Sequence, residues 1–256
     1  MLTPYFSELK IFLRKIKWFL KFSTYKIEHR SLFISYIKNK SGLEIGGPSP
    51  IFQAVIPIYK TLGSLDGVNF SANTLWEGPI DAGRTYNYFN KKTGHQFISD
   101  ATSLRDIPSD SYDFLLSCNS LEHVANPLKA LLEWKRVLKN EGAFVLVLPN
   151  KASNFDHKRP TTEFEHLLAD FNNDIKEDDL THLQEILDLH DLSRDKCAGN
   201  FSDFKTRCQD NFNNRTLHHH IFDEDLIRRV LAHANFNIIC IDVKIDNFYV
   251  LATKCN

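Results

Sequence analysis

Ser41-Gly42-Leu43-Glu44-Ile45-Gly46-Gly47-Pro48-Ser49-Pro50 runs a short apolar strand, acidic near its end, into a glycine turn. Such an order opens a nucleotide-type cofactor site on a parallel sheet, because glycine lets backbone approach a ligand beyond the carboxyl end of a strand. Downstream, Ser120-Leu121-Glu122-His123-Val124 makes a second polar edge, after another apolar strand and before a helix.

From residue 42 onward apolar strand patterns alternate with helical ones, which predicts a doubly wound α/β fold. Strands are expected at Leu43–Gly46, at Thr61–Leu65 ending on Asp66, at Gln96–Ser99, at Tyr112–Ser117 and at the nearly all-apolar Ala143–Leu148. Pro127 to Lys139 is amphipathic, and Asp223 caps a helix running to Ala234. Phe236–Val243 and Phe248–Thr253, joined at Asp246-Asn247, form an antiparallel pair. The expected architecture is a Rossmann-like, seven-stranded, mostly parallel sheet with an antiparallel C-terminal hairpin strand. A helical lid is inserted at about 150–220, with helices at Glu163–Phe171 and Leu180–Leu189.

Two domains are expected, basic amphipathic helices over 1–40 and the sheet domain over 41–256. The net charge of −1 conceals an asymmetry, since residues 1–40 hold nine Lys/Arg against Glu8 and Glu28. Leu9 to Phe22 places Leu9, Phe12, Leu13, Ile16, Phe19 and Leu20 on one helical face, with Lys10, Arg14, Lys17 and Lys21 opposite. That face suits packing on the domain or peripheral contact with an anionic membrane. A second helix, Tyr25 to Ile37, is expected to cover the ligand end of the sheet. Five scattered cysteines, none spaced C-x-x-C, point to a reducing, cytoplasmic setting, at the inner membrane face if the helix binds lipid. No G-x-G-x-x-G follows a strand, which disfavours a nicotinamide site. An acidic body without an Asp-Pro-Pro-Tyr type motif disfavours nucleic acid.

Together these residues resemble a class I S-adenosylmethionine-dependent methyltransferase of the methyltransferase type 11-like group, over about 41–150 and 217–254. The resemblance implies S-adenosylmethionine as cofactor. It implies cofactor contacts from Glu44, Gly46, Gly47 and Pro48 in the loop, and from Asp66, twenty residues after Gly46, to the ribose hydroxyls. Val68 follows just beyond the second strand, Asp100-Ala101 stands where adenine is read, and Asn119 lies in the strand end flanking the methyl donor. The loop departs from the usual three-glycine form, because Pro48 and Pro50 stiffen it.

The acceptor falls to the insertion, which holds seven of the eleven histidines. His123, His218 and His220 are candidates to deprotonate an acceptor hydroxyl, as imidazole titrates near working pH. If 218–222 is extended, His218 and His220 share a face. Asp178, His182 and Glu185, at i, i+4, i+7, are the weaker candidates for a divalent metal. The expected reaction is O-methylation of a small polar acceptor such as a sugar of a surface glycan. The alternatives are a lipid or quinone-like acceptor, or a non-catalytic methyltransferase-like binding module.

Overall fold

The computed structural model describes residues 25–255, so the basic helix expected over 9–22 lies outside the described residues. The chain begins with α1 (Arg30–Ile37), β1 (Ser41–Ile45), the short α2 (Pro50–Ala54) and β2 (Ser64–Asn69). A small ribbon follows, β3 (Asn73–Thr74) with β4 (Gly78–Pro79), and then the hairpin β5 (Gly83–Phe89) and β6 (Lys92–Ile98). After β7 (Tyr112–Cys118) come α3 (Pro127–Val137) and β8 (Leu138–Pro149). The insertion carries α4 (Phe164–Asn172), α5 (Leu183–Leu189), α6 (Phe201–Gln209) and α7 (Asn211–Asn214). The chain closes with α8 (Glu224–His233), β9 (Phe236–Val243) and β10 (Asn247–Lys254).

The main sheet has eight strands in the order β5-β6-β2-β1-β7-β8-β10-β9. β6, β2, β1, β7 and β8 are mutually parallel, whereas β5 and β10 run antiparallel to their neighbours. The chain leaves β1 toward one edge and β7 toward the other, which opens a crevice beyond their carboxyl ends. Alternate residues of the central strands supply two cores. Leu43, Leu115, Phe144 and Leu146 pack with Leu131 and Trp134 of α3 and with Ile227 and Leu231 of α8. On the opposite face Phe114, Leu116, Val145 and Val147 pack with Phe33 and Ile37 of α1 and Phe52 of α2. The insertion has a small apolar cluster of its own, Ile186, Ala198, Phe204, Cys208 and Leu217.

The helix ends follow the expected chemistry. Asn126 caps α3, its side chain accepting from Lys129 N at 3.1 Å, and Asp223 caps α8 by accepting from Leu226 N at 2.9 Å. Three features differ from the sequence reading. The eighth strand, β5, was not among those expected, and the alternation of Tyr86 and Tyr88 inward with Thr85 and Asn87 outward was its signal. β2 does not stop at Asp66 but continues to Asn69, because Gly67 and Val68 pair in parallel with Gln96 and Phe97 of β6. α1 starts at Arg30 and lies along a face of the sheet instead of across its ligand end, since Phe33 and Ile37 are wholly buried there.

Gly67 permits the packing of β5. A Cβ built at Gly67 would sit 2.2 Å from the Tyr86 ring, so the ring lies flat over β2 where any side chain would stand. Gly67→Ala is expected to cost about 1–3 kcal/mol by overpacking, measured as a shift in the urea midpoint at unchanged slope. An unchanged midpoint would show that Tyr86 is not held against β2.

Candidate functional site

The turn after β1 is fixed from beneath. The Glu44 side chain is wholly buried, and its carboxylate accepts hydrogen bonds from the Tyr59 hydroxyl at 2.8 Å, the Tyr86 hydroxyl at 2.7 Å and the Ser49 backbone N–H at 3.0 Å. Burial pushes the Glu44 carboxyl up to about 7, even though the three donors draw it back down. Gly46 has φ +73°, and a Cβ there would meet Ser120 Oγ at 2.4 Å. A Cβ on Gly47 would meet the Glu44 carboxyl carbon at 2.3 Å and the Tyr86 hydroxyl at 2.4 Å. Both glycines are therefore required, one for backbone shape and one for the carboxylate packed below it.

Above this loop, in the crevice between β1 and β7, is a cavity of about 430 Å³. That volume lies within the roughly 300–1,000 Å³ usual for small-molecule sites. Of the residues expected to contact cofactor, Gly46, Pro48, Val68, Asp100, Ala101 and Asn119 line it. Asn119 holds φ 48°, a left-handed conformation that asparagine tolerates, and so ends β7 at the cavity edge. Asp100 Oδ1 accepts from Thr102 N at 2.8 Å, and Oδ2 faces Arg215 Nη2 at 3.4 Å. Arg215, itself left-handed at φ 51°, also pairs with Glu177 at 2.7 Å and stacks over Phe70, which ties the insertion to the cavity mouth.

A second cavity, of about 330 Å³, adjoins the first and shares Trp76, Asn119, His123, Asp246 and Asn247 with it. Its further lining includes Glu122, Asn154, Phe155 and His218. His218 Nδ1 lies 2.5 Å from Asp156 Oδ2, and the two rings of His123 and His218 meet edge to face at 4.6 Å. Burial would lower His218, but the charge and hydrogen bond of Asp156, together with the Glu122 charge, outweigh it and raise the imidazole. Burial likewise works against Asp156, yet His218 and Arg159 hold it at about 2. His123 is driven well below its ordinary value, first by burial and then by the His218 charge, so it stays neutral. Its Nδ1 is 3.0 Å from Leu217 O. Arg159, buried, donates to Asp156, to His218 O at 2.7 Å and to Glu185 at 2.8 Å, and so fixes the returning segment.

Several expected contacts fall elsewhere. Glu44 and Gly47 lie under the loop and do not line the cavity. Asp66 is mid-strand, accepting from Tyr112 OH at 2.8 Å and His95 N at 2.7 Å. Asn69 occupies the strand end instead, with Nδ2 donating to Gly47 O at 3.3 Å. The 218–222 segment belongs to no strand, and His220 is buried beneath the insertion, 3.2 Å from Ala125 O, lining neither cavity. Asp178, His182 and Glu185 do not share a helix face, because α5 begins only at Leu183. Asp178 is exposed, Glu185 is held by Arg159, and His182 meets other histidines. Four functional candidates were not expected from the sequence, Asn69, Trp76, Asp156 and Glu177. Of these only Asn69 had a local signal, as the last polar residue of the strand that passes through Gly67.

Over residues 62–146 the chain matches the family model described as a methyltransferase domain. No curated protein matches the chain in sequence. The methyltransferase in the complex with the Haloferax volcanii Trm112 methyltransferase activator aligns at TM-score 0.52 and 11% identity, over 90% of this chain and 88% of that one. An S-adenosylmethionine-dependent methyltransferase from Methanosarcina mazei aligns at TM-score 0.49 and 17% identity, over 88% of this chain and 97% of that one. The first of these is a likeness of fold.

The raised Glu44 carboxyl has a consequence for stability. The folded state holds its proton to about 7, whereas an unfolded carboxyl releases it near 4.5. The folded chain therefore binds more protons in that window, and this group's contribution to stability falls as pH rises from 4.5 through 7. Glu44→Gln is expected to flatten the decline by up to about 3 kcal/mol in urea unfolding between those pH values. Glu44→Ala, which leaves two buried hydroxyls without an acceptor, is expected to cost about 2–4 kcal/mol. Identical pH profiles for the wild type and Glu44→Gln would contradict the assignment.

Proposed function

We propose that this chain is a class I S-adenosylmethionine-dependent methyltransferase, a reading supported by the family match over residues 62–146, and that it methylates a hydroxyl of a small polar acceptor seated in the smaller cavity. The observation that carries the reading is the Asp156–His218 pair on the wall of that cavity, next to the larger one across Asn119 and His123.

The larger cavity fits the cofactor implied by the family. Bare backbone at Gly46 stands at its edge, with apolar walls from Ile45, Val68 and Phe70 and polar groups from Asn69, Asp100 and Asn119. Gly46, Pro48, Val68, Asp100, Ala101 and Asn119 would hold it. Asn69 replaces Asp66 at the ribose, since its amide already donates to Gly47 O and leaves Oδ1 to accept a hydroxyl. When bound, S-adenosylmethionine supplies an electrophilic methyl on its sulfonium. The chain's own contribution is to place an oxygen nucleophile and take its proton. Asp156 holds the Nδ1–H tautomer of His218, which leaves Nε2 to accept the proton as the acceptor oxygen bonds to carbon. Asp156 and Glu122 then stabilise the imidazolium. Neutral His123 forms the shared wall and is a positioning group in this account.

A sugar suits the smaller cavity. Trp76 and Phe155 offer ring faces for the C–H side of a pyranose, and Asn119, Asn154 and Asn247 offer amides for its hydroxyls. A surface-glycan precursor at an anionic membrane also agrees with the basic, apolar-faced stretch over 9–22. A lipid or quinone-like acceptor is the second reading, set aside because Asn119, Asn154, Asn247 and His218 stand among the lining residues.

His218→Gln is expected to lower turnover by roughly 10²–10⁴-fold while calorimetry shows unaltered S-adenosylmethionine affinity. No calorimetric binding by the wild type would make the chain a binding module. Methyl incorporation into lipids but not into nucleotide-activated or lipid-linked sugars would favour the second reading.

A further inference from the structure

The insertion brings together a set of side chains that the methyl-transfer reading does not use. His166 and Asp170 stand one turn apart on α4, His182 directly precedes α5, and His220 lies on the returning segment. One nitrogen or oxygen from each lies within 4.8 Å of those of the others. His166 Nε2 is 3.0 Å from His182 Nε2 and 3.3 Å from Asp170 Oδ2, and His220 Nε2 is 3.6 Å from the same oxygen. Metal–ligand bonds near 2.0–2.1 Å in a tetrahedron set ligand atoms about 3.3 Å apart. The first two separations lie at or just under that edge.

The hydrogen bonding points the same way. Asp170 is buried, yet its Oδ2 accepts no hydrogen bond despite two imidazole nitrogens within reach. His220 is 1% exposed and its Nδ1 also has no partner. Buried polar atoms are seldom left unpaired, because the cost is about 1–3 kcal/mol each. The lone pairs left unpartnered on Asp170 Oδ2 and His220 Nδ1, beside two imidazole nitrogens 3.0 Å apart, are groups that a cation would pair. Ala125 O, 3.2 Å from His220 Nε2, accepts that nitrogen's proton, which orients the ring and leaves the unpartnered Nδ1 as its ligating atom.

We propose that His166, Asp170, His182 and His220 bind a divalent transition metal of the zinc type in a closed, tetrahedral, structural site. Three imidazoles and one carboxylate fill the four positions, which leaves none for substrate. The ion would staple α4 and the start of α5 to the segment that carries His218, and so hold the wall of the smaller cavity. This set shares only His182 with the trio that helical spacing had suggested.

The test uses the tag-free full chain, incubated with zinc chloride and desalted. Elemental mass spectrometry is expected to find about one zinc per chain, falling to background in His166→Ala/His182→Ala, whose replaced residues are only half-buried. Chelation is expected to lower the wild-type melting temperature by several degrees, and zinc to restore it. Cobalt(II) added to the metal-free wild type is expected to give the strong visible bands of tetrahedral coordination. That reading needs no variant to fold. Less than a tenth of an equivalent of zinc after incubation would overturn the proposal. So would equal zinc in the double variant, or a cobalt spectrum of octahedral type.

Discussion

The candidate site depends on one buried carboxylate. Glu44 lies on a central strand, where an unpaired charge would be strongly destabilising. It is tolerated because Tyr59 and Tyr86 reach it from two separate elements and the Ser49 N–H closes over it. The same three donors draw the 46–50 loop down onto the strand end. Gly47 has to be glycine because the carboxylate and the Tyr86 hydroxyl occupy the place of its Cβ. Pro48 and Pro50 then stiffen a loop whose path is already fixed below, so a third glycine is not needed for the backbone to turn. Tyr86 in turn reaches Glu44 only by crossing Gly67. A residue on the edge strand thus shapes a loop at the centre of the sheet.

Arg159 performs a similar task on the acceptor side. It is buried, and it joins Asp156, Glu185 and the carbonyls of His218 and His219. A buried guanidinium is tolerated when its fork of donors is fully used. Here it gathers the start of the insertion, α5 and the returning segment around the Asp156–His218 pair. The two cavities are therefore built differently. Sheet and loop form the larger, while an ionic and hydrogen-bonded network within the insertion forms the wall of the smaller.

Local chemistry was legible in the sequence, and long-range chemistry was not. The glycine turn, the cap at Asp223 and the C-terminal hairpin each follow from adjacent residues. Asp66 misled because a carboxylate in a strand reads as a strand end. It is mid-strand because Tyr112 and the His95 N–H, distant in sequence, satisfy it. The role of Glu44 was misread for the converse reason, since nothing nearby announces that Tyr59 and Tyr86 will claim it. His218 and His220 looked equivalent by alternation. They diverge because Asp156 draws the first to the cavity wall, whereas the second packs against Ala125 and the insertion.

The central claim is that a donor cavity over the Glu44-supported loop meets an acceptor cavity holding Asp156–His218. A crystal structure with S-adenosylhomocysteine tests it most directly. Adenosine is expected against Asp100-Ala101 and Asn69, with the sulfur directed at the wall formed by Asn119 and His123, toward the His218 side. A ligand bound outside that crevice, or a sulfur turned away from the smaller cavity, would contradict it.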